Sequence, residues 1–303
     1  MRPGVVLRGT GGTWHVRTTD GEEVQAALPG RVKHAAGIKL AVGDDVVLQE
    51  DARGGAWGIA EILPRRSVLS RRDPARAGAE RVVVANVDQV VVVFALRKPE
   101  PHPAMLDRFL VIAEANHLAA RIVVNKLDLA DEDEARRLFG GYEELGYPLH
   151  LTSCREERGL EALRAALRGH TSALSGPSGV GKSSLLNTLY PGLGLRVGEI
   201  SASVNKGRHT TVGAYLHPLP DGGYVADTPG LREIGLWGIP ARDLDECFPE
   251  IRSRKHECRF GDCSHQSEPE CAVRDALRRG EIAEERYASF TKLSEELRVE
   301  SES

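Results

Sequence analysis

Gly176-Pro177-Ser178-Gly179-Val180-Gly181-Lys182-Ser183 lies between an apolar strand expected at Ser172–Leu174 and a helix expected at Lys182–Leu189. It fits G-x-x-x-x-G-K-[ST], the phosphate loop, in the strand-to-helix context that the motif requires. Glycines let the backbone curl until its N–H groups converge on a β-phosphate, and the helix N-terminus adds a field that favours negative charge. Lys182 can span the β- and γ-phosphates, which makes it a catalytic as well as a binding candidate. The Ser183 hydroxyl suits Mg²⁺, and Ser184, next along the helical turn, completes the phosphate-binding set.

Upstream, Asn125-Lys126-Leu127-Asp128 ends the strand Arg121–Val124 and fits N-K-x-D. A carboxylate at Asp128 can accept from both guanine N1–H and the 2-amino group. Adenine lacks that donor pair, so a buried, unpaired carboxylate rejects it. Asn125 either holds the base from its other edge or ties the loops together, and the Lys126 stem covers the ring face. Thr152-Ser153-Cys154, at the next strand end, stands where a backbone N–H of Ser153 or Cys154 meets guanine O6.

Downstream, Asp227-Thr228-Pro229-Gly230 follows the apolar strand Tyr224–Ala226. A carboxylate there can hold Mg²⁺ through water, and the Gly230 N–H can read the γ-phosphate. The intervening Lys206-Gly207-Arg208-His209-Thr210-Thr211 suits a segment that orders around a γ-phosphate, with Thr210 or Thr211 completing the Mg²⁺ shell.

Around these motifs strands and helices alternate. The continuous apolar run of 88–95 reads as a strand covered on both faces. Helices are expected over 103–117, 131–145 and 160–167, and strands over 121–124 and 149–152, which predicts a parallel sheet with helices on both faces. Before it, five short strands at 5–7, 14–17, 24–27, 45–48 and 57–60, separated by Gly-rich breaks, predict a small oligonucleotide-binding-type barrel. The basic stretch 65–81 reads as a linker. Beyond Trp237 come a Cys/His cluster and helices at 272–279 and 283–297, and the acidic residues 295–303 read as a solvated or disordered tail.

With 303 residues the chain exceeds one ordinary core. No apolar run reaches the roughly 18 residues of a membrane helix, and Met1-Arg2-Pro3-Gly4 opens no signal-peptide core, so a cytoplasmic protein is expected. The net charge of −4 hides basic clusters at 65–66, 71–72, 206–208 and 252–255, which are either solvated faces or a nucleic-acid patch. Five cysteines without a secretory signal point to reduced thiols or a metal. The tail run Cys258-Arg259-Phe260-Gly261-Asp262-Cys263-Ser264-His265, with Cys271 beyond, offers three thiolates and an imidazole, a closed structural Zn²⁺ set. His256 and Cys247 compete for places in it.

The order N-K-x-D, phosphate loop, D-x-x-G is that of a circularly permuted GTPase. Together with Asp107-Arg108-Phe109-Leu110, Gly207–Thr211 and the Cys/His tail, it resembles the RsgA (YjeQ) family of small-ribosomal-subunit-dependent GTPases over nearly the whole chain. The resemblance implies an OB-type β-barrel (1–69), an α/β P-loop GTPase domain, circularly permuted (70–236), and a C-terminal zinc-binding helical domain (237–303). It selects Cys258, Cys263, His265 and Cys271 as ligands of one structural Zn²⁺. It further implies a monomeric cytoplasmic assembly factor that uses GTP/GDP and Mg²⁺, binds the small (30S) subunit and its 16S rRNA late in maturation, and hydrolyses GTP slowly alone and faster on the subunit.

After D-x-x-G, where many GTPases place Gln, stands Leu231, which cannot orient water. The family is similar in lacking this Gln, and His209 is the replacement candidate, either catalytic or in contact with RNA. Cys154 stands where the family usually has Ala, and Val212 replaces a third Thr. Two other functions compete: a nucleotide-gated RNA-binding scaffold with incidental hydrolysis, and a permuted GTPase acting on another RNA. An ATPase is opposed mainly by Asp128.

Overall fold

The computed structural model describes residues 1–35, 37–51, 55–72, 80–195, 214–227, 236 and 238–302. Strands β1 (Arg2–Thr10), β2 (Thr13–Thr18), β3 (Glu23–Ala27), β4 (Asp45–Glu50) and β5 (Trp57–Ile62) occur where the sequence predicts them, with a short helix α1 (Gly30–Ala35) after β3. They close a barrel in the order β1-β2-β3-β5-β4, an OB-like arrangement. Alternation fills it: Val6, Val16, Val24, Ala26, Val46, Leu48 and Ile59 point inward.

The stretch read as a linker is tied down instead. Its described parts form an antiparallel ribbon of β6 (Val68–Arg72) and β7 (Glu80–Ala85). Arg65 donates to the buried Asp44 carboxylate at 2.7 and 2.9 Å. Asn86, buried at φ 54°, accepts from the Arg66 N–H at 2.8 Å and donates to Gly43 O at 3.0 Å, which seats the barrel on the next layer. Gly43 (φ +87°) must be glycine, because a Cβ would fall 2.1 Å from Ala85 O.

The next layer is a six-stranded sheet. Its chain order is β8 (Gln89–Ala95), α2 (Pro103–Ala115), β9 (Ala119–Asn125), α3 (Glu132–Glu144), β10 (Leu149–Leu151), α4 (Leu160–Leu167), β11 (Thr171–Ser175), α5 (Lys182–Leu189), β12 (Tyr215–Pro218) and β13 (Tyr224–Asp227). The strands lie in the order β10-β9-β8-β11-β13-β12. All neighbours are parallel except β12 and β13, which form an antiparallel hairpin, so the sheet is mixed at one edge rather than wholly parallel. The buried run of β8 serves two cores: Val90, Val92 and Phe94 face α2, while Val91, Val93 and Ala95 face α4 and α5.

A short 3₁₀ helix (Ala241–Cys247), α6 (Pro249–Arg252), α7 (Ala272–Arg278) and α8 (Glu284–Glu302) complete the described fold. Leu244, Phe248, Val273, Phe290, Leu293 and Leu297 join the α2-side core, so the C-terminal region shares it. The expected acidic tail is helical through Glu302, because Leu297 is buried and Glu296 pairs with Arg108 at 2.6 Å. Arg286 of α8 meets Asp107 of α2 at 2.6 Å and Glu250 of α6 at 2.7 Å, all three buried. No helix among the described residues is long and apolar enough to cross a membrane.

Candidate nucleotide site and metal centre

The motif residues converge at the carboxyl ends of the parallel strands, the end where open α/β sheets bind ligands. Strand β9 ends on Asn125, Ser153 follows β10, the phosphate loop follows β11, and Asp227 ends β13. Parallel pairing sets Leu174 beside Asp227, which brings β13 against the phosphate-loop strand.

Asn125 is the junction. Its Nδ2 donates to Val180 O at 3.0 Å, while its Oδ1 accepts from Thr152 Oγ1 at 3.2 Å and lies 3.7 Å from the Cys154 thiol. Of the two roles read from sequence, the structure carries the tie between loops. Gly181 (φ +94°) allows this approach, since a Cβ there would sit 2.7 Å from Asn125 Nδ2. Lys126, in the left-handed region at φ 63°, donates its Nζ to Gly179 O at 2.6 Å and also to Lys98 O. Lys182 is buried, with Nζ on the carbonyls of Gly176 and Pro177 at 2.8 Å each, inside the loop. Ser183 is buried at the start of α5, and Ser184 is half-buried.

In the N-K-L-D loop, Asp128 is half-buried and its Oδ1 accepts from Ser153 Oγ at 2.7 Å. The hydroxyl aims the carboxylate, a role the sequence did not suggest. The Ser153 N–H is spent on Arg158 O at 3.1 Å, and Arg158 N–H returns to Ser153 O at 3.0 Å. Of the two amides considered for guanine O6, only that of Cys154 therefore remains suited. Burial pushes the Cys154 thiol pKa up.

Asp227 is described as the last residue of β13. His209, Thr210, Thr211, Gly230 and Leu231 lie outside the described residues.

In the C-terminal region, the ligand atoms of Cys258, Cys263, His265 and Cys271 all lie within 4.8 Å of one another. His265 Nδ1 is 3.5 Å from Cys258 Sγ and 3.6 Å from Cys271 Sγ, and these two sulfurs are 3.9 Å apart. Three soft thiols and one imidazole, half-buried or buried, fit a closed tetrahedral Zn²⁺ site. The competitors stand outside it. Cys247 directs its thiol to Asp243 O at 3.8 Å, and burial pushes its pKa up to about 12. His256 is 71% exposed beside Glu257. The loop between ligands is braced by Glu268, whose carboxylate accepts from the amides of Ser264, Gln266 and Ser267 at 2.8, 3.2 and 3.2 Å. Tyr287 of α8 donates to His265 O at 2.6 Å.

A family model described as RsgA GTPase matches residues 62–237. The chain is 57% identical over 297 residues to the small ribosomal subunit biogenesis GTPase RsgA of Gemmatimonas aurantiaca, covering 97% of each chain. It is 37% identical over 300 residues to the protein of the same description from Bacteroides fragilis, covering 97% of this chain and 96% of that one. Among solved structures, YjeQ from Thermotoga maritima is similar with a TM-score of 0.81 at 37% identity, 98% of each chain being covered. YloQ, described as a circularly permuted GTPase, is similar with a TM-score of 0.79 at 30% identity, covering 99% of this chain and 96% of that one.

Proposed function

The chain belongs to the RsgA GTPase family, and from that premise we propose that it is a GTPase of small-ribosomal-subunit biogenesis, acting late in maturation, whose turnover the 30S subunit raises. The observation that supports this reading best is the tie of Asn125 to Val180, which sets a guanine-reading carboxylate and a phosphate loop together at the carboxyl end of one sheet. Asp128, aimed by Ser153, accepts from guanine N1–H and the 2-amino group, and the Cys154 N–H donates to O6. Asn125 holds the loops together and Lys126 covers the ring. The amides of 176–184 take the phosphates, with Lys182 between β and γ.

Ser183, Asp227 and either Thr210 or Thr211 are the residues to hold Mg²⁺, which when bound neutralises charge on the β- and γ-oxygens. Gly230 reads the γ-phosphate. In hydrolysis water attacks the γ-phosphorus in line, the bond to the β–γ bridging oxygen breaks, and GDP and phosphate leave. Lys182 stabilises the charge gathering on that oxygen. His209 orients the attacking water in place of the Gln that Leu231 replaces. Cys258, Cys263, His265 and Cys271 hold one structural Zn²⁺, which supplies folding energy to a segment poor in apolar residues.

In this reading residues 1–69, 70–236 and 237–303 are the barrel, permuted GTPase and zinc domains. Barrel and zinc domain contact 16S rRNA, and the protein works as a cytoplasmic monomer. The test is phosphate release from GTP and from ATP, with no addition, purified small subunits or large subunits. A large rise with GTP and small subunits alone is expected; no rise overturns the subunit-activated enzyme. Replacement of His209 by Ala then separates enzyme from scaffold, since intact stimulated turnover would remove the catalytic role.

A further inference from the structure

The imidazole of His265 presents its two nitrogens to different neighbours. Nδ1 lies toward the thiols of Cys258 and Cys271, and Nε2 faces Asp245 Oδ2 at 3.5 Å, the outer edge of hydrogen-bonding range. The two side chains are 3% and 14% exposed. Among the described residues neither His265 Nε2 nor Asp245 Oδ1 has a hydrogen-bond partner within ordinary limits, so both groups are buried with capacity to spare. An imidazole that ligates through Nδ1 carries its remaining proton on Nε2, and a buried N–H in a metal site is ordinarily given to a carboxylate or carbonyl.

The position of Asp245 is itself fixed. It lies in the 3₁₀ helix 241–247, whose Leu244 and Cys247 are buried in the core shared with α2 and α8, and Lys255 Nζ holds its Oδ2 at 2.9 Å. From the other side, the Phe290 ring lies 6.1 Å from the imidazole and Tyr287 grips the His265 carbonyl. The ring is thus enclosed with its Nε2 facing the Asp245 carboxylate.

We propose that Asp245 is a positioning residue of the metal centre: it accepts the His265 Nε2 proton, fixes the tautomer that turns the Nδ1 lone pair toward the three thiolates, and increases the donor strength of that nitrogen. The inference rests on the zinc reading given above. It adds a fifth residue from outside the ligand loop, contributed by the segment that follows the nucleotide-binding sheet.

The test uses the full chain loaded with Zn²⁺ and, separately, Co²⁺. Zn²⁺ affinity is measured by competition with a chelator for the native protein, Asp245→Ala, Asp245→Asn and Lys255→Met, with guanine-nucleotide affinity as the folding control. Asp245→Ala is expected to weaken Zn²⁺ by about 10- to 100-fold and to shift the Co²⁺ ligand-field bands. Asp245→Asn keeps an acceptor oxygen and should fall between the two, which preserves the test if the Ala variant does not fold. Lys255→Met, which removes the ion pairs to Asp245 and Glu246 but keeps the Asp245 carboxylate on its 3₁₀ helix, should lose much less than Asp245→Ala. A native chain holding one Zn²⁺, with chelator curves unmoved by Asp245→Ala, overturns the inference alone, as does an equal loss in Lys255→Met. A native chain that takes up no Zn²⁺ overturns the zinc reading together with it.

Discussion

Asn125 donates its Nδ2 to the carbonyl of Val180 at 3.0 Å across 55 residues of sequence, joining the N-K-L-D loop to the phosphate loop. Asn125→Ala leaves the Val180 carbonyl without that donor and the Thr152 hydroxyl without that acceptor, at about 1–3 kcal/mol. Because the bond braces both ends of the site, GTP and GDP affinity should fall together, by roughly tenfold or more. Titration with a fluorescent guanine nucleotide checks this, and unchanged affinity for both would show that the tie is dispensable.

The Ser153–Asp128 contact of 2.7 Å sets the orientation of the carboxylate proposed to read the base. In Asp128→Asn one acceptor becomes a donor, which opposes the guanine 2-amino group but matches the 2-carbonyl of xanthine. Guanine nucleotides should weaken by about ten- to a hundredfold, the size of a lost charged hydrogen bond, while xanthosine diphosphate gains. Competition binding with the two nucleotides reads the exchange. A variant that loses both equally would place the effect in folding rather than recognition.

Arg286 is 6% exposed and Asp107 1%, and Glu250 completes the cluster. Burial alone would lower the Arg286 pKa, but Glu250 and Asp107 outweigh it and hold the guanidinium charged. Arg286→Met strands two buried carboxylates, and breaking such a pair costs about 3–5 kcal/mol. Urea denaturation of the Zn²⁺-loaded protein should show the loss. A change below about 1 kcal/mol, the worth of a surface pair, would mean that water reaches the cluster.

His217, on β12 and edge-on to Tyr215 with ring centroids 4.1 Å apart, has its pKa pushed down to about 4 by burial. An unfolded histidine titrates near 6.5, so the folded chain binds fewer protons there. The stability this contributes is complete above about pH 6.5 and is lost as pH falls toward 4. His217→Phe should flatten the pH dependence of the denaturation midpoint across that window, relative to the native protein. Parallel curves for the two would show that the imidazole is not buried neutral.

Motifs that need particular residue types at short spacing were legible from the sequence: the phosphate loop and N-K-L-D stand at strand ends as their patterns require. The Cys/His run was legible as a metal candidate, whereas the set Cys258, Cys263, His265 and Cys271, which the structure clusters, was singled out by resemblance and not by spacing. Also legible were elements with a strong period, such as the uninterrupted apolar β8 and the alternating barrel strands. The ribbon β6–β7 was hidden because its strands carry charges where an apolar period would show, notably Arg71, Arg72 and Arg81. Strand β12 is four residues long and ends in Pro218, too short to establish a period. The second tier of the site escaped for a different reason. Ser153 with Asp128, Thr152 with Asn125 and Asp245 with His265 are pairs 20 or more residues apart, made by topology and by no local pattern.

The strand order has a further consequence. The sheet consists of two blocks, β10-β9-β8 and β11-β13-β12, each drawn from one continuous stretch of chain and, among the described strands, paired to each other through β8 and β11. In the proposed site the base is read from the first block and the phosphates are held by the second. A guanine nucleotide is then a bridge across the seam, and release of GDP is the loss of a non-covalent cross-link between two halves that the permuted chain completes one after the other.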